Sequence, residues 1–148
     1  MDVILNKYNS LIEVLNPKQK RYIHFKSLKN FILYLPELKV KEDKQNSEKK
    51  IIDYLEIIEQ NIDEINGAFT TDLYTNYIYP LGNTYKKIGF KKIISPKYLI
   101  IFSLPVDLTV GILFWRFPYP ILTLLVLLNY YWKQKKYIKT SKAFGMFY

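Results

Sequence analysis

A long apolar run from Tyr98 to Trp132 carries one acid, Asp107, near the middle of its first half. A helix rises about 1.5 Å per residue, so roughly 20 residues are needed to cross a hydrocarbon layer about 30 Å thick. A run of this length must be covered by lipid or by other protein, because large exposed apolar surfaces are rare in water. The run therefore limits the fold to one that buries a long apolar segment.

The run divides at the turn Arg116–Pro120 ("RFPYP") into two segments, and the sequence predicts helices over about 96–115 and 118–132. Tryptophan and tyrosine stand at the segment ends, where amphipathic rings prefer a membrane interface. The first segment is nearly long enough to span and the second is short. We predict a transmembrane helical hairpin over residues 95–132. The alternatives are a buried helical pair in a soluble complex and an in-plane or re-entrant arrangement.

The charge distribution also favours a membrane. Residues 1–72 hold 11 basic and 12 acidic residues, whereas residues 73–148 hold 11 basic residues and a single acid. Lysines flank the apolar run on both sides, and the positive-inside rule then keeps both flanks on the side of synthesis. The basic residues predicted to contact anionic lipid or a partner are Lys86, Lys87, Lys91, Lys92, Lys97, Arg116, Lys133, Lys135 and Lys136. Interleaved lysines and aromatics also bind single-stranded nucleic acid, which is a less favoured alternative.

Residues 1–94 are predicted to form a domain of three to four helices, so the fold class is all-α. The second helix is expected from Pro17 to Pro36, the third from Ser47 to Asn66-Gly67 after a surface loop over 39–50, and a weaker fourth from near Thr70. Residues 133–148 are expected to be a basic aromatic tail. Apolar residues three and four apart give each of the first three helices one buried stripe: Ile4, Tyr8, Leu11 and Leu15; Phe25, Leu28, Ile32 and Leu35; Ile51, Leu55, Ile58, Ile62 and Ile65.

Asp107 needs an explanation, because a carboxylate at the centre of a bilayer costs about 2.5 to 3.5 kcal/mol even on permissive scales. A structural role is favoured: Asp107 caps a half-helix that starts at Leu108 after the break at Pro105, is protonated, or pairs with a basic group of a partner subunit. The alternative is an ion or proton site in which Thr109 and the carbonyl freed by Pro105 take part.

Other chemistry has little support in the sequence. The chain has no cysteine and one histidine, His24, which is expected at the core edge or on the surface; no metal site, cofactor or enzyme activity is predicted. The predicted function is a non-catalytic accessory or scaffold subunit of a larger membrane complex, with energy-transducing complexes (respiratory chain or ATP synthase) as one candidate class. The predicted location is a bacterial or mitochondrial inner membrane, with both termini on the cytoplasmic or matrix side.

Overall fold

The computed structural model describes residues 2–93, 96–113 and 121–145, and these are almost entirely helical. The predicted all-α class is confirmed, with the addition of two very short strands. The chain divides into two compact units: the first joins Met1–Ile93 to Ser141–Tyr148, and the second is Ile94–Thr140. Within the described ranges, we find no helix whose length and apolar character would both suffice to cross a membrane.

The first unit holds six α-helices among its described residues and one strand pair. The helices are α1 (Asp2–Val14), α2 (Pro17–Tyr22), α3 (Phe25–Tyr34), α4 (Lys41–Gln60), α5 (Gly67–Leu73) and α6 (Tyr79–Tyr85), and a π-helical segment, Tyr74–Ile78, joins the last two. Three-residue 3-10 turns lie at Leu35–Glu37, Ile62–Glu64 and Lys86–Ile88. The strands are β1 (Lys91–Lys92) and β2 (Ala143–Phe144), and the second unit contains α7 (Pro96–Leu113) and α8 (Ile121–Lys139).

Two asparagines determine where helices begin in the first unit. The Asn16 side chain accepts hydrogen bonds from the N–H groups of Lys18 and Gln19, and the Gln19 side chain accepts from the Asn16 N–H, which completes a capping box before Pro17. Asn66 caps α5 in a similar way, since its side chain accepts hydrogen bonds from the N–H groups of Ala68 and Phe69. The Asn66-Gly67 pair therefore starts α5, and the prediction that it ends the preceding helix was wrong.

Two further helix boundaries differ from those expected. The predicted surface loop over 39–50 is mostly helix, because α4 begins at Lys41 and its first two turns are rich in Lys, Glu and Gln, which form helices well without an apolar stripe. The predicted second helix is interrupted at His24, which adopts a left-handed conformation with φ of 49°. This interruption separates α2 from α3.

The apolar stripes predicted for the first three helices form the core of the first unit. All the stripe residues named above lie in one cluster of buried side chains or pack against it. Phe31 lies at its centre, with its ring 4.8 Å from that of Tyr85 and 5.6 Å from that of Phe90, measured between centroids. The N-terminal helices therefore have a shared core, as the spacing predicts.

The end of the chain is part of this core. Strand β2 pairs in parallel with β1, Lys91 opposite Ala143 and Lys92 opposite Phe144. The N–H of Ile93 donates to the carbonyl of Phe144 over 2.7 Å, and the Phe144 side chain is fully buried. The expected tail over 133–148 is therefore two different structures in the described residues: the last turns of α8, and a strand that packs into the first unit.

Gly82 on α6 provides a test of this packing. A Cβ atom added at Gly82 would overlap the ring of Phe144, whereas one added at Gly67 would meet nothing within 4 Å. We expect Gly82→Ala to destabilise the protein by about 1 to 3 kcal/mol, as overpacked core substitutions do, and Gly67→Ala to be neutral. Thermal unfolding monitored by circular dichroism measures both. Adding Phe144→Leu should recover part of the Gly82→Ala loss; strictly additive effects would contradict the contact.

Three tyrosine hydroxyls join the helices through backbone carbonyls. Tyr8 on α1 donates to the Phe25 carbonyl over 3.1 Å, Tyr54 on α4 donates to the Ile23 carbonyl, and Tyr85 on α6 donates to the Phe31 carbonyl over 2.7 Å. Burial raises the pKa of Tyr8 from 10.0 to about 12, and it also raises the pKa values of Tyr54 and Tyr85. The folded state therefore holds these three protons more tightly than the unfolded chain does.

This difference predicts alkaline unfolding. Below pH 10.0 the tyrosines are protonated in both states and their contribution to stability is constant; as the pH rises from 10.0 towards about 12, the unfolded chain ionises first and stability falls. Circular dichroism and tyrosinate absorbance, followed together across that range, should show loss of helix coinciding with ionisation. Ionisation of all 14 tyrosines with no loss of helix would show that folding does not depend on protonated Tyr8, Tyr54 and Tyr85.

Candidate functional site

The second unit has an inverted distribution of polar and apolar side chains. Helices α7 and α8 pack against each other, and two polar side chains among the unit's described residues are buried: Ser103 at 7% exposed and Thr123 at 6%. Many of its described large apolar side chains are exposed instead. Those more than a third exposed are Ile100, Ile101, Phe102, Leu104, Val106, Leu108, Leu124, Leu125, Leu128, Tyr131, Trp132 and Ile138.

Asp107 joins the two helices. One carboxylate oxygen, Oδ2, accepts hydrogen bonds from the backbone N–H of Thr123 over 2.8 Å and from the Thr123 hydroxyl over 2.5 Å. Thr123 is the third residue of α8, where backbone N–H groups have no acceptor within their own helix. The N-terminus of a helix also attracts negative charge. Asp107 therefore caps α8 from the neighbouring helix.

The prediction that Asp107 caps a half-helix of its own segment was wrong. Helix α7 continues through Pro105 to Leu113, so no half-helix begins at Leu108. The Thr109 hydroxyl donates to the Pro105 carbonyl over 2.7 Å, and the Ser103 hydroxyl donates to the Leu99 carbonyl over the same distance. These two hydroxyls donate to backbone carbonyls of α7, so these bonds do not extend a chain of polar groups from Asp107.

The predicted lipid-contact or partner-contact residues that precede α8 differ in their surroundings. Lys87 forms an ion pair of 2.6 Å with Asp43, and Lys86 donates to the Asn83 side chain. Lys92 lies over the rings of Tyr74 and Tyr79, with its Nζ 5.6 and 5.2 Å from their centroids. Lys91 and Lys97 are exposed, and Arg116 lies outside the described residues.

The lysines of α8 form a more concentrated group. An open cleft of about 320 Å³ is lined by Tyr131, Trp132, Lys135, Lys136 and Lys139, and the Lys135 Nζ is 5.9 Å from the centroid of the Tyr131 ring. Lys133 is also exposed but does not line this cleft. Two of the predicted contact lysines, Lys135 and Lys136, are thus brought together with aromatic rings. Lys139 was missing from the predicted group, although its four-residue spacing from Lys135 indicates the same helix face.

The expected absence of a metal site and of enzyme activity stays a prediction. Among the described residues, no three histidine, cysteine or acidic side chains come together in a way that could hold a metal ion. His24 is fully buried in the first unit, with Nε2 3.1 Å from the Thr70 carbonyl, and is thus deeper than the core-edge or surface position expected. No protein-family model, curated protein or solved structure matches the chain.

The bond between Asp107 and Thr123 can be tested through the Thr123 amide proton. Asp107→Asn keeps a carbonyl oxygen that can accept, so we expect protection of this amide from hydrogen exchange to fall less than tenfold. Asp107→Leu removes the acceptor and should lower protection by about ten- to a hundredfold, since hydrogen bonds to charged groups contribute about 1.5 to 3 kcal/mol. Ser103→Ala is the control on the same helix and should change nothing. Unaltered exchange in Asp107→Leu would show that the carboxylate is not the cap.

Proposed function

We propose that this protein is a non-catalytic accessory or scaffold subunit of a larger membrane complex, held there through α7 and α8. The observation that carries the proposal is the inverted burial of the second unit, in which Ser103, Asp107 and Thr123 face the helix pair and leucine, isoleucine and phenylalanine face outward. Membrane segments are built in this way, because polar groups without water must find partners inside the protein.

The density of exposed apolar side chains supports an apolar environment for the second unit. Its described residues include 12 large apolar side chains that are more than a third exposed, against six in the first unit, which is about twice as long. Covering a large apolar side chain completely contributes about 1.5 to 3 kcal/mol. Twelve half-covered side chains on two helices therefore leave an unusually large free energy of burial to be gained from lipid or neighbouring subunits.

The strand pair supports an orientation in which the chain segments before α7 and after α8 lie on the same side of the membrane. Because β1 and β2 are hydrogen-bonded neighbours in one unit, the chain leaves for α7 and returns from α8 at adjacent positions. This arrangement suits a hairpin whose two flanks share one side of a membrane, which is also what the flanking lysines favour. We propose that the first unit, with both termini, lies on the cytoplasmic or matrix side of an inner membrane. Energy-transducing complexes remain a candidate class of partner.

Two other functions are less well supported. An ion- or proton-translocating component would use Asp107 as a titrating site, yet Asp107 bonds to Thr123 and the nearby hydroxyls of Ser103 and Thr109 bond to their own helix. A nucleic-acid-binding role in a ribonucleoprotein would use the lysines and aromatics but gives no reason for the apolar exterior of α7 and α8. Conductance in vesicles would favour the first of these, and release from membranes by salt alone would favour the second.

A pair of matched leucines tests the proposal. Leu128 in the second unit is 50% exposed and Leu33 in the first is 48% exposed, so they differ in unit rather than in type or exposure. We expect Leu128→Asp to lower the yield of membrane complex in mild detergent several-fold, since an acid in an apolar layer costs about 2.5 to 3.5 kcal/mol. Leu33→Asp should leave the yield unchanged. Equal yields from the two variants, or a protein that high salt extracts without detergent, would contradict the proposal.

A further inference from the structure

We propose that the cleft on α8 is a binding site for the headgroup of an anionic phospholipid. The site is formed by Tyr131, Trp132, Lys135, Lys136 and Lys139, which will be called the α8 cleft. This inference rests on the proposed membrane function and adds to it a defined position and a ligand of stated chemistry. A phosphodiester headgroup would be bound by the lysine ammonium groups, while the rings contact the glycerol and the upper acyl chain.

The residues of the α8 cleft share one face of the helix with two exposed leucines. Leu124, Leu128, Lys135 and Lys139 are separated by four or seven residues, which places them on one face of a helix. Tyr131 and Trp132 fall on the same face between them, and Lys136 falls at its edge. Lys133 lies on the opposite face of the helix and does not line the cleft. The cleft is thus the continuation, along one face, of the exposed leucines nearer the start of α8.

Along the helix axis, the residue types on this face follow the order of the layers in a phospholipid membrane. This face reads leucine at 124 and 128, aromatic at 131 and 132, and lysine at 135, 136 and 139. A phospholipid layer presents acyl chain, interface and charged headgroup in the same order, and aromatic rings prefer the interface between the other two. At about 1.5 Å per residue, the rings lie roughly 8 Å beyond the centre of the leucine pair and the lysines roughly one to two turns further.

The charge of the region favours an anionic ligand over a neutral one. Residues 73–148 carry 11 basic residues and a single acid, and that acid, Asp107, bonds to the start of α8, about ten residues before the cleft. Trp132 is 77% exposed, so its ring is available to a ligand. Single-stranded RNA would also bind lysines and rings, but it gains nothing from the leucines that extend the same face. The structure therefore favours a lipid.

Trp132 allows a direct measurement. The chain has two tryptophans, so Trp115→Phe leaves Trp132 as the single fluorescent reporter. This protein is reconstituted in vesicles that contain equal amounts of phosphatidylcholine and phosphatidylglycerol. In one preparation the acyl chains of phosphatidylcholine carry bromine, and in the other those of phosphatidylglycerol do. Bromine quenches only nearby tryptophan, so stronger quenching by brominated phosphatidylglycerol measures enrichment of the anionic lipid beside Trp132. We expect severalfold enrichment over the bulk composition.

Two substitutions that each remove one positive charge distinguish binding at the α8 cleft from general electrostatic attraction to the anionic lipid. Lys135→Gln removes a cleft lysine and should reduce the enrichment by roughly threefold, whereas Lys133→Gln removes a lysine from the opposite face of the same helix and should leave it unchanged. Combining Lys135→Gln, Lys136→Gln and Lys139→Gln should abolish it. Equal losses from the two single variants would overturn a site at the cleft, because only the total charge would then matter.

The remaining outcomes distinguish failure of this site from failure of the proposed function. A protein that inserts in the vesicles but shows equal quenching by both lipids contradicts the lipid site and leaves the membrane proposal standing. A protein that does not associate with vesicles contradicts both. Quenching of Trp132 by single-stranded RNA in competition with phosphatidylglycerol would replace the lipid with a nucleic acid as the ligand of the α8 cleft.

Discussion

The parallel pairing of β1 with β2 is the constraint on which the organisation of the chain depends. It is only two residues long in each strand, but it brings Phe144 into a core already formed by Phe31, Tyr85 and Phe90. The Asn30 side chain adds a hydrogen bond of 2.9 Å to the carbonyl of Ala143. Short parallel strands are weak alone, so burial of the ring must supply most of the stabilisation. The chain before α7 and the chain after α8 are thereby held as neighbours.

A chain that leaves and returns at neighbouring strands favours an antiparallel pair of helices between them. An antiparallel pair brings the latter half of α7 opposite the beginning of α8, and Asp107 meets Thr123 there. The free N–H groups at the start of α8 need acceptors, and water cannot supply them if the apolar exterior is covered. An acid in an apolar run is then a hydrogen-bond acceptor placed where its neighbouring helix lacks one.

Much of the first unit could be predicted because its signals are local. The apolar stripes and the Asn16-Pro17 start require only residues within a few positions of each other, and the structure confirms them. The Asn66-Gly67 pair was misread because an asparagine-glycine pair fits either end of a helix, and only the side-chain bonds to Ala68 and Phe69 decide.

The rest could not be predicted because it depends on distant contacts. Thr123 is 16 residues from Asp107, and Ala143 is 113 residues from Asn30. Nothing in the sequence near Asp107 indicates that its donors belong to the next helix. The tail carries the same lysines and aromatics as a lipid-contact segment, so composition alone does not separate the cleft lysines of α8 from Phe144 in the core.

The interhelical bond and the apolar exterior strengthen each other. A hydrogen bond contributes about 0.5 to 1.5 kcal/mol when water competes for both partners, and more when a charged acceptor is shielded in a medium of low dielectric constant. Lipid or protein packed around α7 and α8 would exclude water from Asp107 and Thr123, so the bond that joins the helices gains strength in the surroundings that their outer faces favour. In water alone, the same two helices would be less stable for two reasons: their leucines would be exposed to water, and the bond between Asp107 and Thr123 would be weaker. In a covered second unit, the bond to Thr123 would also offset part of the cost of removing the Asp107 carboxylate from water.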